Sequence, residues 1–119
     1  MGTVLVADDA QFMRNLYRVL LAETSTEVVA DAANGHEAVQ AYEEHDPDIV
    51  VMNVRMPILD GIAATEDITE LDPDARIIIC SGIRQEAKMK EAIQAGAFDY
   101  VTKPFQRTHF LAAIDEALQ

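Results

Sequence analysis

Residues Asp48–Gly61, DIVVMNVRMPILDG, decide how this chain is read. Ile49–Met52 is an uninterrupted apolar run, the pattern of a short strand buried on both faces of a parallel sheet. The run stops at a polar residue, Asn53. Pro57 then breaks any helix, and Asp60-Gly61 signals a turn. In an open α/β sheet the carboxyl end of a central strand is where ligands bind. Asn53 therefore stands where chemistry is expected, and it is an amide rather than a carboxylate.

Working outward, the same grammar repeats. Thr3–Ala7 reads as a buried strand ending at Asp8-Asp9, and Thr26–Ala32 as another, centred on Val28 and Val29. Arg76–Ser81 and Phe98–Thr102 complete the set, the last ending at Lys103-Pro104. Between the strands lie helical patterns. Phe12, Leu16, Val19 and Leu20 recur at helical spacing over about 11–23. Ala38, Val39 and Tyr42 mark a helix ending near Asp46-Pro47, after a turn at Asn34-Gly35. Ile62–Leu71, Glu86–Ala95 (stopped by Gly96) and Arg107–Leu118 follow. Five β-α units with short connections predict an α/β fold, a parallel sheet with helices on both faces. The chain is too short for a (β/α)8 barrel. A flavodoxin-like (βα)5 doubly wound sheet of order 2-1-3-4-5 suits it, as one domain over residues 1–119.

Half of the 119 residues are hydrophobic, enough for a real core. No apolar run reaches the roughly 18 residues of a membrane span, and no signal peptide precedes Val4. The single cysteine, Cys80, follows Ile77–Ile79 and reads as a packed thiol rather than a reactive one. It excludes an internal disulfide and suits a cytoplasmic location. The net charge is -12 and unevenly spread. Glu23–Asp74 holds 14 acids and one base, Arg55, whereas Ala75–Arg107 holds three acids and six bases. The acidic half argues against nucleic acid or an anionic membrane as partner. The excess serves solubility or adaptation to high salt.

The predicted strand order brings Asp8, Asp9 and Asn53 together at the switch point, with Ser81 and Lys103 nearby. Two adjacent carboxylates can hold a hard divalent cation such as magnesium. A third at position 53 would complete the site and could attack a phosphoryl group. A lysine and a hydroxyl would neutralise and hydrogen-bond the phosphoryl oxygens. Plainer roles stand beside these. Asp8-Asp9 suit a helix N-terminus, Ser81 can cap a turn, and Lys103 can be a solvated residue before a proline. A nucleotide site is disfavoured, since DDAQFM has no glycine where the phosphate-binding turn needs one. A small phosphohydrolase with Asp8 as nucleophile is the enzymatic alternative, though the chain has no room for a substrate cap. His36, His45 and His109 lie far apart on helices or their ends and read as surface residues.

VLVADDAQFMR at Val4–Arg14, DIVVMNVRMPILDG at Asp48–Gly61, IIICSG at Ile77–Gly82 and AGAFDYVTKPF at Ala95–Phe105 together resemble the receiver domain of two-component response regulators. The resemblance covers the whole chain. NGHEAV, DPDARI and KPFQ are most similar to the stand-alone chemotaxis receivers of archaea, and the acid excess fits a haloarchaeal source. The resemblance implies roles. Asp8 and Asp9 match the acidic pair that binds magnesium, and Arg55 the residue whose backbone carbonyl is a metal ligand. Asn53 matches the phosphoacceptor aspartate. Ser81 matches the switch hydroxyl. Tyr100 matches the switch aromatic, which turns inward when that hydroxyl is drawn to the phosphate. Lys103 matches the family's lysine and Pro104 its cis-peptide proline.

The resemblance further implies a cytoplasmic monomer that is not an enzyme. It would signal by phosphorylation-controlled protein binding in chemotaxis. Its partners would be a CheA-like sensor histidine kinase and a motor or adaptor protein docking on the fourth helix, fifth strand and fifth helix. Asn53 departs from the pattern, because an amide oxygen is not a useful nucleophile toward phosphorus. The chain as written is then phosphoacceptor-deficient and its magnesium affinity weakened. Either a working receiver has been changed at position 53 into an inactive-state form, which the intact remainder of the site favours, or this is a natural pseudo-receiver that signals by binding alone.

Overall fold

The computed structural model describes residues 2–119. Strands and helices alternate without exception: β1 (Gly2–Ala7), α1 (Gln11–Leu21), β2 (Thr26–Ala32), α2 (Gly35–His45), β3 (Ile49–Met52), α3 (Gly61–Leu71), β4 (Ile77–Ser81), α4 (Glu86–Ala95), β5 (Asp99–Thr102) and α5 (Arg107–Ala117). The strands form one parallel sheet in the order β2-β1-β3-β4-β5. The order reverses between β1 and β3, so their carboxyl ends flank the crevice where ligands bind in such sheets.

Why the strands read as continuous apolar runs is visible in the packing. Successive side chains point to opposite faces, and both faces are covered. Leu5, Val50, Met52, Ile77 and Ile79 enter one apolar layer with Tyr42 of α2, Ile62 and Ile68 of α3, and Ala92 of α4. Val4, Val6, Ile49, Val51, Ile78 and Cys80 enter the other, beneath Tyr17 and Leu21 of α1 and Phe110 and Ile114 of α5. Tyr17, Phe105 and Phe110 stack with ring centroids 5.1–6.3 Å apart, tying α1 to α5.

Several boundaries differ from the sequence expectations, each for a local reason. α1 stops at Leu21, not Glu23, because the Thr24 hydroxyl and backbone N–H both donate to the Leu21 carbonyl. The residues that signal α1 are not all those that bury: Phe12 and Val19 are 75% and 66% exposed, whereas Tyr17 and Leu21 are enclosed. α2 starts earlier than expected, at Gly35. Asn34 caps it by accepting from Glu37 N–H at 2.8 Å, and Glu37 accepts from Ala33 N–H at 2.9 Å. β4 and β5 begin one residue later than expected. Arg76 and Phe98, just outside them, meet instead as a cation over a ring, 4.7 Å from its centroid. Gly96 ends α4 in the left-handed conformation (φ 117°) that glycine adopts without steric cost.

Candidate functional site

The β1 and β3 strand ends place Asp8 and Asn53 side by side, since Ala7 and Met52 are paired in register. Asn53 N–H donates to the Ala7 carbonyl at 2.9 Å, which fixes the height of Asn53 over the sheet. Gly61 allows the β3–α3 loop to fold back, because a Cβ there would lie 1.8 Å from the Asn53 carbonyl oxygen. α3 then starts with Asp60 as its cap, accepting from Ala63 N–H at 2.8 Å.

Asp8 is 1% exposed, and two donors offset the cost of burying its carboxylate. Lys103 Nζ reaches Oδ2 at 2.9 Å from the end of β5, and Ala10 N–H donates to Oδ1 at 2.9 Å. Lys103 Nζ also lies 3.4 Å from Asn53 Oδ1. The other end of the amide faces acceptors. Asn53 Nδ2 donates to the Arg55 carbonyl at 2.9 Å and approaches exposed Asp9 Oδ1 at 3.4 Å. Each of these residues therefore lies where the sequence reading expected it, in one connected cluster.

Ser81 ends β4 at the same rim. Its Oγ accepts from Ile83 N–H at 3.1 Å, and its carbonyl accepts from Lys103 N–H at 2.8 Å. The turn-capping role open to Ser81 is thus realised, without removing it from the site. A cleft of about 690 Å³ opens over Asn53, Arg55, Ser81 and Arg84. Tyr100 is packed against the layer of α2, α3 and α4, and its hydroxyl donates to the Ile83 carbonyl at 2.7 Å. The Lys103–Pro104 peptide is cis. The N-capping role considered for Asp8-Asp9 is not taken up: Ala10 occupies the cap of α1, with no side-chain cap bond.

Two basic residues at the site escaped the sequence reading. Arg84 donates to the Lys103 carbonyl at 3.3 Å and stands on the cleft wall. Arg14 donates to the Asp8 carbonyl at 2.7 Å while pairing with Asp31 at 3.5 Å. Only its place six residues after Asp8, at the end of the first turn of α1, could have signalled this. Cys80, behind the site, is fully enclosed, and burial pushes its thiol up to about 12. His36, His45 and His109 are exposed, as expected.

The oxygens of Asp8, Asp9 and the Arg55 carbonyl are hard donors of the kind magnesium takes. The third side chain contributes no charge, and no group of three His, Cys, Asp or Glu residues able to hold a metal occurs among the described residues. The donor set fits the ion in kind, but the amide turns its nitrogen, not its oxygen, toward the other ligands.

The response regulator receiver domain family matches residues 4–115. The chain belongs to that family. Among its relatives, the "Chemotaxis protein CheY" of Halobacterium salinarum is 52% identical over 97% of this chain and 95% of that protein. The protein of the same description from Bacillus subtilis is 47% identical over 97% and 96%. Among solved structures, the one described as the CheX-CheY-BeF3-Mg+2 complex from Borrelia burgdorferi superposes with a TM-score of 0.94 at 30% identity, over 98% of this chain and 89% of that one. The chain is a CheY-like chemotaxis response regulator receiver domain. Receivers of this type are generally signalling modules rather than enzymes; they bind magnesium at the phosphorylation site and work through protein partners. No helix among the described residues is long and apolar enough to cross a membrane.

Proposed function

We propose that residues 1–119 are one cytoplasmic receiver built to signal by phosphorylation-controlled protein binding and held in its inactive state, because position 53 takes no phosphoryl group. The observation that carries this is the state of Asn53. Its amide has no anionic oxygen to attack phosphorus, and its Oδ1 lies 3.4 Å from Lys103 Nζ. Asp8, Asp9 and the Arg55 carbonyl would hold magnesium, which when bound neutralises charge on a phosphoryl group. Ser81 and Lys103 would hydrogen-bond the phosphoryl oxygens. The proposed partners are a CheA-like kinase and a motor or adaptor protein docking on α4, β5 and α5, with the chain a monomer. Those three elements carry three of the nine bases, Lys88, Lys90 and Arg107, and each is paired with an acid, Glu91, Glu86 and Glu23 in turn. An archaeal motility system is the proposed setting, supported by the likeness to the Halobacterium protein and by the acid excess.

Incubation with acetyl phosphate and magnesium, followed by intact-mass measurement, tests this. The chain should gain no phosphoryl mass, and Asn53→Asp should gain one, because the rest of the cluster is in place. Labelling at residue 53 of the unchanged chain would overturn the proposal. A second reading, a pseudo-receiver that binds its partner without any phosphoryl signal, is favoured by Tyr100, whose hydroxyl is already tied inward to Ile83.

A further inference from the structure

The Asn53 amide makes contacts that only one of its two orientations permits. Nδ2 faces two acceptors, the Arg55 carbonyl at 2.9 Å and Asp9 Oδ1 at 3.4 Å, while Oδ1 faces the Lys103 ammonium at 3.4 Å. Exchanging the ends would set oxygen against two oxygens and an N–H against an ammonium, so the partners fix the assignment. The two acceptors on the nitrogen side are the oxygens that would surround a cation. We propose that the Asn53 amide is a built-in placeholder for the divalent cation. Its N–H group donates to the cation's ligands and holds the acidic pocket together without metal.

The placeholder makes a prediction that loss of charge alone does not. Were charge the only difference, Asn53 would still offer an oxygen ligand, and Asn53→Ala, offering none, would bind magnesium more weakly than the unchanged chain. With the amide as placeholder, magnesium must first displace Nδ2 from Arg55 and Asp9. Turning Oδ1 toward the metal then aims the N–H at Lys103. Alanine removes that obstacle and leaves room for water, which magnesium readily keeps in its coordination shell. Asn53→Ala should then bind magnesium about three- to tenfold more tightly than the unchanged chain, the scale of one net hydrogen bond. Asn53→Asp should bind tightest, having neither obstacle nor missing charge.

The inference rests on reading this pocket as the cation site, and the experiment separates the two. Magnesium is titrated into the unchanged chain, Asn53→Ala and Asn53→Asp by calorimetry in the same buffer. Alanine equal to or weaker than the unchanged chain overturns the placeholder. An Asn53→Asp form that takes no magnesium overturns the cation site itself. Side-chain amide hydrogen exchange in the unchanged chain gives a second measurement, independent of how Asn53→Ala folds. The Asn53 NH2 protons should exchange about tenfold more slowly than those of exposed Asn15, because they are hydrogen-bonded, and should lose that protection at saturating magnesium. Exchange as fast as at Asn15 overturns the proposal.

Discussion

Replacing Asn53 by aspartate should destabilise the metal-free protein, and the structure allows the size to be worked out. The change turns the amide nitrogen into an oxygen sharing a negative charge. At 3.4 Å from Asp9 Oδ1 and an effective dielectric near 20, the added repulsion is about 5 kcal/mol. Lys103 Nζ, also 3.4 Å away, returns an attraction of about the same size. The two nearly cancel, and water around exposed Asp9 damps both. What remains is local. Donation to the Arg55 carbonyl is lost and becomes an oxygen–oxygen contact, at roughly 1 kcal/mol for the bond itself. Asp8, buried and already reliant on Lys103, gains a competitor for that cation. The sum is a loss of roughly 1–2 kcal/mol for Asn53→Asp at neutral pH and low salt. Urea unfolding in EDTA should show it as a midpoint lower by about 0.5–1 M. High salt should narrow the gap by screening. Magnesium at a hundred times its dissociation constant would stabilise the three-acid form by about 2.7 kcal/mol and reverse the order. An Asn53→Asp protein more stable than its parent in EDTA would refute the reasoning.

Other residues give sharper tests of packing and titration. The buried Tyr17 hydroxyl meets only the Cys80 thiol, a weak partner outside ordinary hydrogen-bond geometry, so Tyr17→Phe should raise the unfolding free energy by roughly 0.5–1 kcal/mol; a lower urea midpoint would contradict this. Ile58 holds φ at 72°, a conformation β-branched residues resist, while 81% exposed in the β3–α3 loop; Ile58→Asn should stabilise by about 1 kcal/mol, and a loss on calorimetric melting would show the conformation unstrained. Burial raises the Cys80 thiol from 9.0 to about 12 and pushes the Tyr17 and Tyr42 hydroxyls up as well. Folded values above unfolded ones mean that this stability is intact below about pH 9 and is lost as pH rises toward 12, by up to about 1.4 kcal/mol per pH unit for each group in its window. Urea midpoints that stay flat between pH 9 and 11 would count against it.

How far the sequence carried depends on what each residue answers to. The strand order and the meeting of Asp8, Asp9, Asn53 and Lys103 follow from alternation and handedness, which leave few topologies open. Strand ends were legible for the same reason: Asn53 and Ser81 interrupt apolar runs that only burial on both faces explains. The buried face of α1 was not. Phe12, Val19, Tyr17 and Leu21 all fit a helical period, and the sheet and α5 select the last two by stacking Phe105 and Phe110 on Tyr17. Arg84 carries no local signal and Arg14 only its spacing from Asp8, since a base on a helix or loop is normally solvated and the folded chain is what brings theirs to Asp8 and Lys103. The orientation of the Asn53 amide was also out of reach, because it depends on a carbonyl and a carboxylate fixed by the loop that Gly61 permits.

That orientation bears on how the pocket meets the rest of the molecule. Lys103 touches Asn53 with its ammonium and Ser81 with its backbone N–H. The Ser81 hydroxyl holds Ile83 N–H, and the Ile83 carbonyl holds the Tyr100 hydroxyl. A connected path therefore runs from position 53 to β5. Contiguity alone is not coupling; coupling needs an element with two arrangements that both ends bias. Ile83 is the joint at which such a choice would be made, because its N–H and its carbonyl serve the two ends separately. A phosphoryl oxygen that drew the Ser81 hydroxyl away would free the first contact and leave the second to be kept by Tyr100. On the proposed reading no phosphoryl group forms on residue 53, and both contacts would then persist together. The pocket end of the path is held by hydrogen bonds the protein makes to itself, and Tyr100 stays where Ile83 anchors it.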